Sequence, residues 1–394
     1  MSQILTNIEG ILKDKYQPAL SNMITVEPSP FLEMIRKEPL QNNKVRMAAP
    51  VGINGGFGFG AEGAATPTAA EQHYLDFELN AVDMYVDMQI SNKTVVLGSS
   101  NTSSMINALD AEIKGSYAAA KWNLGRALFG DGSGILCRFE AMEDGDESLP
   151  VDNTSKLKEG LLVDIYTNDS PYAPTRFAAG VRIIAVDHVN KRVTFTGSEI
   201  YVGDAGFITV QNSYNREITG LGAIFSDEEM LYGVSRSENT ILRPLTYSLE
   251  GNMTDIGLYR GIRDAKKYRA SKINLIMMGD QAFEAYQTYM DGHTTHLVDK
   301  HKFVGGSTGY SILVGDQEVI IINESMVPEN EAWGVDTESF ILQQTPWEFL
   351  SNQGSIFSLM PNSSVYRALL ASYGNLICSN PGGCIRFTDC ASLA

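Results

Sequence analysis

The sequence predicts an α+β protein assembled around one long helix, and three observations point that way. Ile106, Leu109, Ile113, Tyr117, Ala120, Leu124 and Leu128 recur at steps of three and four over 101–129, the spacing that lines one face of a helix. Around that helix the chain is rich in short β-branched runs divided by turn residues, which read as strands. Ahead of it lies a proline-studded and then glycine-rich stretch that looks like an arm rather than a core. At 1.5 Å per residue the helix is roughly 40 Å long, enough to act as a spine.

Taken in order, Ile4 to Tyr16 has helical periodicity and meets Pro18. Pro28, Pro30, Pro39 and Pro50 then favour an extended arm over 1–50. Its apolar knobs Phe31, Leu32 and Ile35 must lie against something, and a second subunit is one candidate. Next comes 51–99, whose first half, VGINGGFGFGAEGAATPTAAEQ, has little capacity for a core. Its second half alternates: Leu75, Phe77, Leu79 and Ala81, then Met84, Val86, Met88 and Ile90, with acids between. The phase break near Val82 and Asp83 suggests a bulge or bend, and the whole reads as a long hairpin with a flexible tip.

The spine has Ser and Thr before it as N-cap candidates and Gly130 as its C′ stop. Asp110 and Lys114 sit one turn apart in the favoured order. Ala111, Gly115, Ala118, Ala119 and Trp122 fall on the opposite side, where small residues let another backbone approach, so two packed sides are expected. An acidic, loop-like tract follows from Glu140 to Glu147. Over 151–215 the runs LLVDIYT, GVRIIAVD, RVTFTG and GFITVQN form a separate small all-β unit, a barrel or sandwich inserted in the chain. From Ile218 onward the pattern is mixed. Thr254 or Asp255 caps a helix through Arg269, INLIMMG is a buried strand, and Asp280 opens a helix to Met290. Hairpins are expected at Gly315-Asp316 and at Pro381-Gly382-Gly383, with strands at ESFILQQT and YRALLASYGNLICS.

Composition narrows the function. The chain has 394 residues and a formal net charge of −17. Such acidity argues against sequence-independent grip on nucleic acid and against an anionic membrane surface. No apolar run is long enough to span a bilayer, and no signal peptide is expected. Cys137, Cys378, Cys384 and Cys390 form no CxxC pair, which favours reduced thiols over zinc; a Cys378–Cys384 disulfide stays open as an alternative.

The motifs for chemistry are few. His293, His296 and His301 in DGHTTHLVDKH could hold zinc beside Asp291 and Asp299, but a Gly- and Thr-rich segment does not fix tetrahedral geometry as HExxH does on a helix. No GxSxG elbow is present, and GGFGFGAEG lacks the GK[ST] ending of a phosphate loop. No catalytic, metal-binding or cofactor-binding residue is expected, and the chain reads as a non-enzyme.

What remains is an arm, a hairpin with a Gly-rich acidic tip and a rigid spine. In that order they resemble the major capsid proteins of tailed bacteriophages, whose fold is named for phage Hong Kong ninety-seven. FGAEGAATPTA, ALDAEIKGSYAAAKWNLGRALFGDGSG and REITGLGAIF (Arg216 to Phe225) carry the resemblance, which covers most of the chain. It implies an N-terminal arm (1–50), an extended loop (51–99), a spine and the start of a peripheral domain (100–150), and an inserted β domain (151–215). An axial domain (216–340) and the remainder of the core (341–394) complete the division.

The resemblance also implies a virion protein that self-assembles as hexamers and pentamers around double-stranded DNA, in the host bacterial cytoplasm. Phe31, Phe57, Phe59, Glu62, Glu71 and Phe77 are its expected intersubunit contacts. Expected partners are a separate scaffolding protein, a portal and decoration proteins, with no cofactor and no membrane. Two family features are missing: no Lys or Arg lies between Arg46 and Lys93 to crosslink the loop, and the arm begins too near Met1 for a cleaved scaffolding region. The competing readings are an encapsulin-like nanocompartment, a metal-dependent hydrolase using His293, His296 and His301, and a β-rich binding protein.

Overall fold

The computed structural model describes residues 29–52, 55–63, 68, 71–93, 102–142, 148–168, 174–196, 202–291, 299–302, 308–315, 317–351 and 355–391. The helix expected from Ile4 to Tyr16 lies outside them. In chain order, α1 (Pro30–Met34) precedes β1 (Arg36–Pro39), β2 (Lys44–Val51), β3 (His73–Asn80), β4 (Val82–Ser91) and the spine α2 (Thr102–Leu128). Then come β5 (Ile135–Phe139), β6 (Leu149–Pro150), β7 (Leu162–Thr167), β8 (Thr175–Asp187), β9 (Arg192–Phe195) and β10 (Gly206–Val210). The short α3 (Leu221–Phe225), β11 (Met230–Leu231) and β12 (Val234–Ser235) lead to β13 (Leu245–Ser248), α4 (Asp255–Arg269), β14 (Leu275–Met278) and α5 (Asp280–Asp291). The strands β15 (Asp299–Lys302), β16 (Thr308–Val314), β17 (Gln317–Asn323), β18 (Ala332–Val335) and β19 (Phe340–Gln344) follow. The last are β20 (Glu348–Phe349), β21 (Phe357–Leu359), β22 (Val365–Cys378) and β23 (Ile385–Thr388).

Three sheets organise these elements. The first runs β1-β19-β22-β20, with β4 and β21 also on β22, and the spine packs over β4. Its β22 pairs with β4 from Val82↔Gly374 to Ser91↔Val365, the longest antiparallel ladder described. The second sheet runs β13-β23-β18-β14-β17-β16-β15. Every residue of β14 is buried because the sheet is covered on both faces: Leu275 and Met277 join the core that contains the spine, Ile276 and Met278 the core beneath α4 and α5. The third, β5-β10-β7-β8-β9-β6, encloses its own core of Val163, Ile165, Ile183, Val193 and Ile208.

Local chemistry explains the helices. Thr254 Oγ1 accepts from the Gly257 amide at 3.3 Å at the start of α4, and Ala270 closes the other end in the left-handed region. Ser29 caps α1 in the same way, with Pro30 in its first turn. The spine ends in a tighter turn, Phe129 N–H to Arg126 O at 3.1 Å and Gly130 N–H to Ala127 O at 3.0 Å, so Gly130 stops it without adopting a left-handed conformation. Gly220 is required by close approach: a Cβ there would collide with the Leu128 carbonyl, where the return segment crosses the end of the spine.

Several expectations change against this architecture. The hairpin begins at Lys44, inside the stretch read as arm, and its arms are β2 and β3 in register from Lys44↔Asn80 to Val51↔His73. The phase break near Val82 is a change of partner rather than a bulge, because β4 leaves the hairpin for the body sheet. The small β unit starts earlier than 151, since β5 pairs with β10 and β6 with β9. Pro381-Gly382-Gly383 makes a 3₁₀ turn that passes the chain between sheets, so β22 and β23 do not form a hairpin. The four cysteines are free and buried.

One buried ion pair ties the spine to the segment returning from the small β unit. Arg126 Nη1 and Nη2 meet Glu217 Oε2 and Oε1 at 2.9 and 2.6 Å, with both side chains almost wholly covered. Removing one partner of such a pair leaves an uncompensated buried charge, which costs about 3–5 kcal/mol. Arg126→Met is therefore expected to lower the melting temperature strongly, and Arg126→Met with Glu217→Leu to recover part of that loss. Calorimetry showing equal melting for wild type and single variant would mean the pair is dispensable.

Candidate assembly surfaces

The hairpin root is anchored and its tip is free of core. Val45, Ala49 and Phe77 are buried, and the Phe77 ring lies 5.4 Å from that of Tyr232. On the solvent face Glu78 bridges Lys44 and Arg46, and the Lys44 hydrogen bond above all holds its carboxyl below the usual range. Beyond β2 the described tip is exposed throughout. Phe57 and Phe59 stand 80% and 96% exposed, edge to face at 5.3 Å. Among the described residues nothing covers this aromatic pair. Glu62 and Glu71 are exposed on the same connection.

Phe31 and Phe77 are a correction. They are 0% and 1% exposed within the protomer, so no surface is left to offer a neighbour. Phe31 packs 5.1 Å from Phe340 and 6.5 Å from Phe129, so the arm's knobs lie against their own chain. The signal for burial was in the sequence; the partner was not.

Among its described side chains the spine buries one side. Ile113, Leu124 and Leu128 face the core, whereas Gly115, Ala118 and Ala119 are exposed in place of the second packed side. Beside them a cavity of about 360 Å³ opens between β4, the spine and Trp347. Its carboxylates are committed elsewhere: Glu217 to Arg126, Asp87 to Arg367 at 2.8 Å, and Asp83 to the Tyr85 hydroxyl at 3.4 Å. No His or Cys is among the described residues that line it, so its hydroxyls, Ser116, Ser213 and Tyr85, have no imidazole beside them to act as a base.

His293 and His296 lie outside the described residues, and His301 falls on β15. Among the described residues no group of three or more His, Cys, Asp or Glu could hold a metal ion. No helix of the described residues is long and apolar enough to cross a membrane.

A second pocket sits beside Ser29. It is about 360 Å³ in volume, and Lys121, Trp122, Arg126 and Glu324 are among its walls. Ser29 Oγ donates to Glu324 Oε2 at 3.1 Å. Burial pushes the Glu324 carboxyl up to about 7, against help from Ser29 and the Met326 amide, and Asp280 adds to the rise. A folded-state pKa raised above the ordinary 4.5 contributes stability that is complete below about 4.5 and lost as pH rises through about 7. Glu324→Gln, neutral at every pH, is expected to flatten the fall in melting temperature across that window and to raise it at pH 8. An unchanged pH profile by scanning calorimetry would show that the carboxyl is solvated.

Comparison with solved structures decides the fold. The subunit of the cyanophage A-1(L) capsid asymmetric unit aligns over 95% of this chain and 93% of its own, with TM-score 0.52 at 8% identity. The chain has the phage-capsid fold. A Mycobacterium phage Bobi chain aligns over 91% of this chain and 90% of its own (TM-score 0.43, 9% identity). The SrpI encapsulin of Synechococcus elongatus PCC 7942 aligns over 93% and 90% (TM-score 0.45, 10% identity). No protein-family model and no curated protein sequence matches the chain.

Proposed function

We propose that this chain is the major capsid protein of a tailed phage: many copies, as hexamers and pentamers, close into an icosahedral head around double-stranded DNA. The observation that carries the reading is the end-to-end correspondence with a capsid subunit at TM-score 0.52. On this reading the spine and first sheet form the peripheral domain, the second sheet with α4 and α5 the axial domain, and β5 to β10 the inserted domain. The hairpin is the extended loop, which reaches a neighbour through Phe57, Phe59, Glu62 and Glu71. A bare aromatic pair on a glycine-rich tip is suited to contact with a neighbour.

The net charge of −17 fits a wall that lets a packaged polyanion slide, since a basic wall would hold it by salt-dependent contacts. It also suits a basic scaffolding protein as assembly partner; a portal and decoration proteins complete the set, and the product is a virion component made in the bacterial cytoplasm. Negative-stain microscopy of the expressed protein, alone and with a scaffolding protein, tests the reading. Closed shells of uniform size are expected, and dispersed subunits under every condition would overturn it. Nuclease-protected DNA in native particles separates a phage head from a protein-filled compartment.

Mature particles boiled in SDS with reductant are expected to run as one band at the 43.1 kDa monomer mass. No lysine lies between Val51 and Asn92, Lys44 at the hairpin root is paired with Glu78, and burial pushes the Cys137 and Cys390 thiols up, Cys390 to about 12, so thiolate is scarce. A ladder that survives reduction would instead assign crosslinking to another lysine, such as Lys93.

A further inference from the structure

The helical layer on the second sheet carries two opposite charge stripes of identical spacing. On α4, Ile256, Arg260, Arg263 and Lys267 fall at i, i+4, i+7 and i+11, and all are exposed. They lie opposite the buried Leu258, Ile262 and Ala265, so they crown the helix. On α5, Asp280, Glu284, Gln287 and Asp291 repeat the same spacing, all exposed, opposite the buried Ala282 and Tyr286. The helix α4 has five basic residues against two acids, while α5 has three acids and no Lys or Arg. In a chain of net charge −17 such a basic stripe is out of character.

The topology fixes how the stripes lie. β13 pairs parallel to β23, β18 is antiparallel to both β23 and β14, and β14 is parallel to β17. Both helices therefore return against parallel strands and run parallel to one another. Both bury their apolar sides in the same core, and Tyr286 Oη donates to Asp255 Oδ1 at 3.1 Å between them. The exposed surface is a positive row beside a negative row.

We propose that this layer docks on the same layer of a second copy of the chain, about a two-fold axis parallel to the helices. That axis lays each α4 on the partner copy's α5 and pairs unlike charges twice, as a closed isologous contact requires. A two-fold across the helices would set like on like. A polyanion is disfavoured as occupant, because the acidic row lies alongside the basic one. Within the protomer Arg263 already meets Asp264 at 3.3 Å, Asp280 accepts from Asn323 and Ser325, and Lys267 donates to the neighbouring Tyr268 hydroxyl at 3.1 Å, so Arg260, Glu284 and Asp291 carry most of the pairing and Lys267 joins by exchanging its Tyr268 contact. Helices about 20 Å long and about 10 Å apart offer on the order of 400 Å² per copy, below a standard interface, so the contact is weak and salt-sensitive.

Sedimentation velocity of the full-length, unassembled protein at about 50 mM and about 500 mM salt tests this. Wild type is expected to dimerise reversibly at low salt and at least about tenfold more weakly at high salt. Arg260→Glu with Lys267→Glu, or Glu284→Lys with Asp291→Lys, should each abolish the dimer. An equimolar mixture of the two reversed proteins should restore both contacts as a heterodimer, and one chain carrying all four changes should dimerise as wild type does. Circular dichroism checks that these surface variants fold. The pairing is overturned if wild type stays monomeric at low salt, if reversals leave dimerisation unchanged, or if the fourfold variant is no better than either parent. Normal closed shells from all variants with no dimer would sink the pairing and leave the capsid reading intact.

Discussion

Ile113→Asp is expected to abolish soluble expression. Ile113 is 1% exposed and faces the core that the spine shares with the first sheet. An unpaired carboxylate there costs several kcal/mol, or shifts its pKa and stays protonated at a cost of the same kind. The lost isoleucine packing adds about 2–5 kcal/mol. Together these approach the whole stability of a domain, about 5–15 kcal/mol. The effect is concentrated because Ile113 lies on the helix that joins the hairpin, the first sheet and the small β unit. Ala119→Asp, on the exposed flank of the same helix, is the control and should express normally. Soluble Ile113→Asp protein with a wild-type melting curve would place that face in solvent and remove the spine from the core.

How legible the molecule was depends on the range of the interactions involved. The spine could be read because α2 is long enough for its 3.6-residue period to repeat seven times, and α4 because Thr254 caps it and Leu258, Ile262 and Ala265 mark one face. β14 was legible as LIMM, a run apolar on both faces. Partners were not legible. β4 finds β22 across most of the chain, and nothing in either strand names the other. Likewise β1, whose residues are all exposed, gives no strand pattern and gains its place by lying parallel to β19. The glycine turn at Pro381 correctly signals a change of direction, but turn chemistry is local and does not say that β23 will join β13 and β18 instead of β22.

The same limit applies to the assembly surfaces. Phe57 and Phe59 were readable as bare, because glycine on either side leaves them no local cover. Phe31 and Phe77 look equally apolar in sequence, yet Phe340, Phe129 and Tyr232 cover them from distant segments. Apolarity predicts burial; it cannot say in which copy of the chain.

Deleting Gly58 to Thr68 is expected to leave a folded, monodisperse subunit that no longer forms normal shells. The described residues of that stretch are exposed and none belongs to a core cluster, so little apolar area is lost and the melting temperature should stay close to wild type. The hairpin survives, since Val45, Ala49 and Phe77 anchor its root and the β2–β3 register is set below the tip. Assembly should fail because a contact repeated in every subunit acts many times over, so a small loss per copy is multiplied across the particle. Phe57→Ser with Phe59→Ser isolates the aromatic part: the same assembly defect with an unchanged melting curve is expected, since truncating an aromatic anchor at an interface costs more than its exposure in the free subunit suggests. Closed particles of normal size from both variants would show that the tip faces solvent in the shell as it does in the protomer, and the intersubunit role would pass to the exposed flank of the spine.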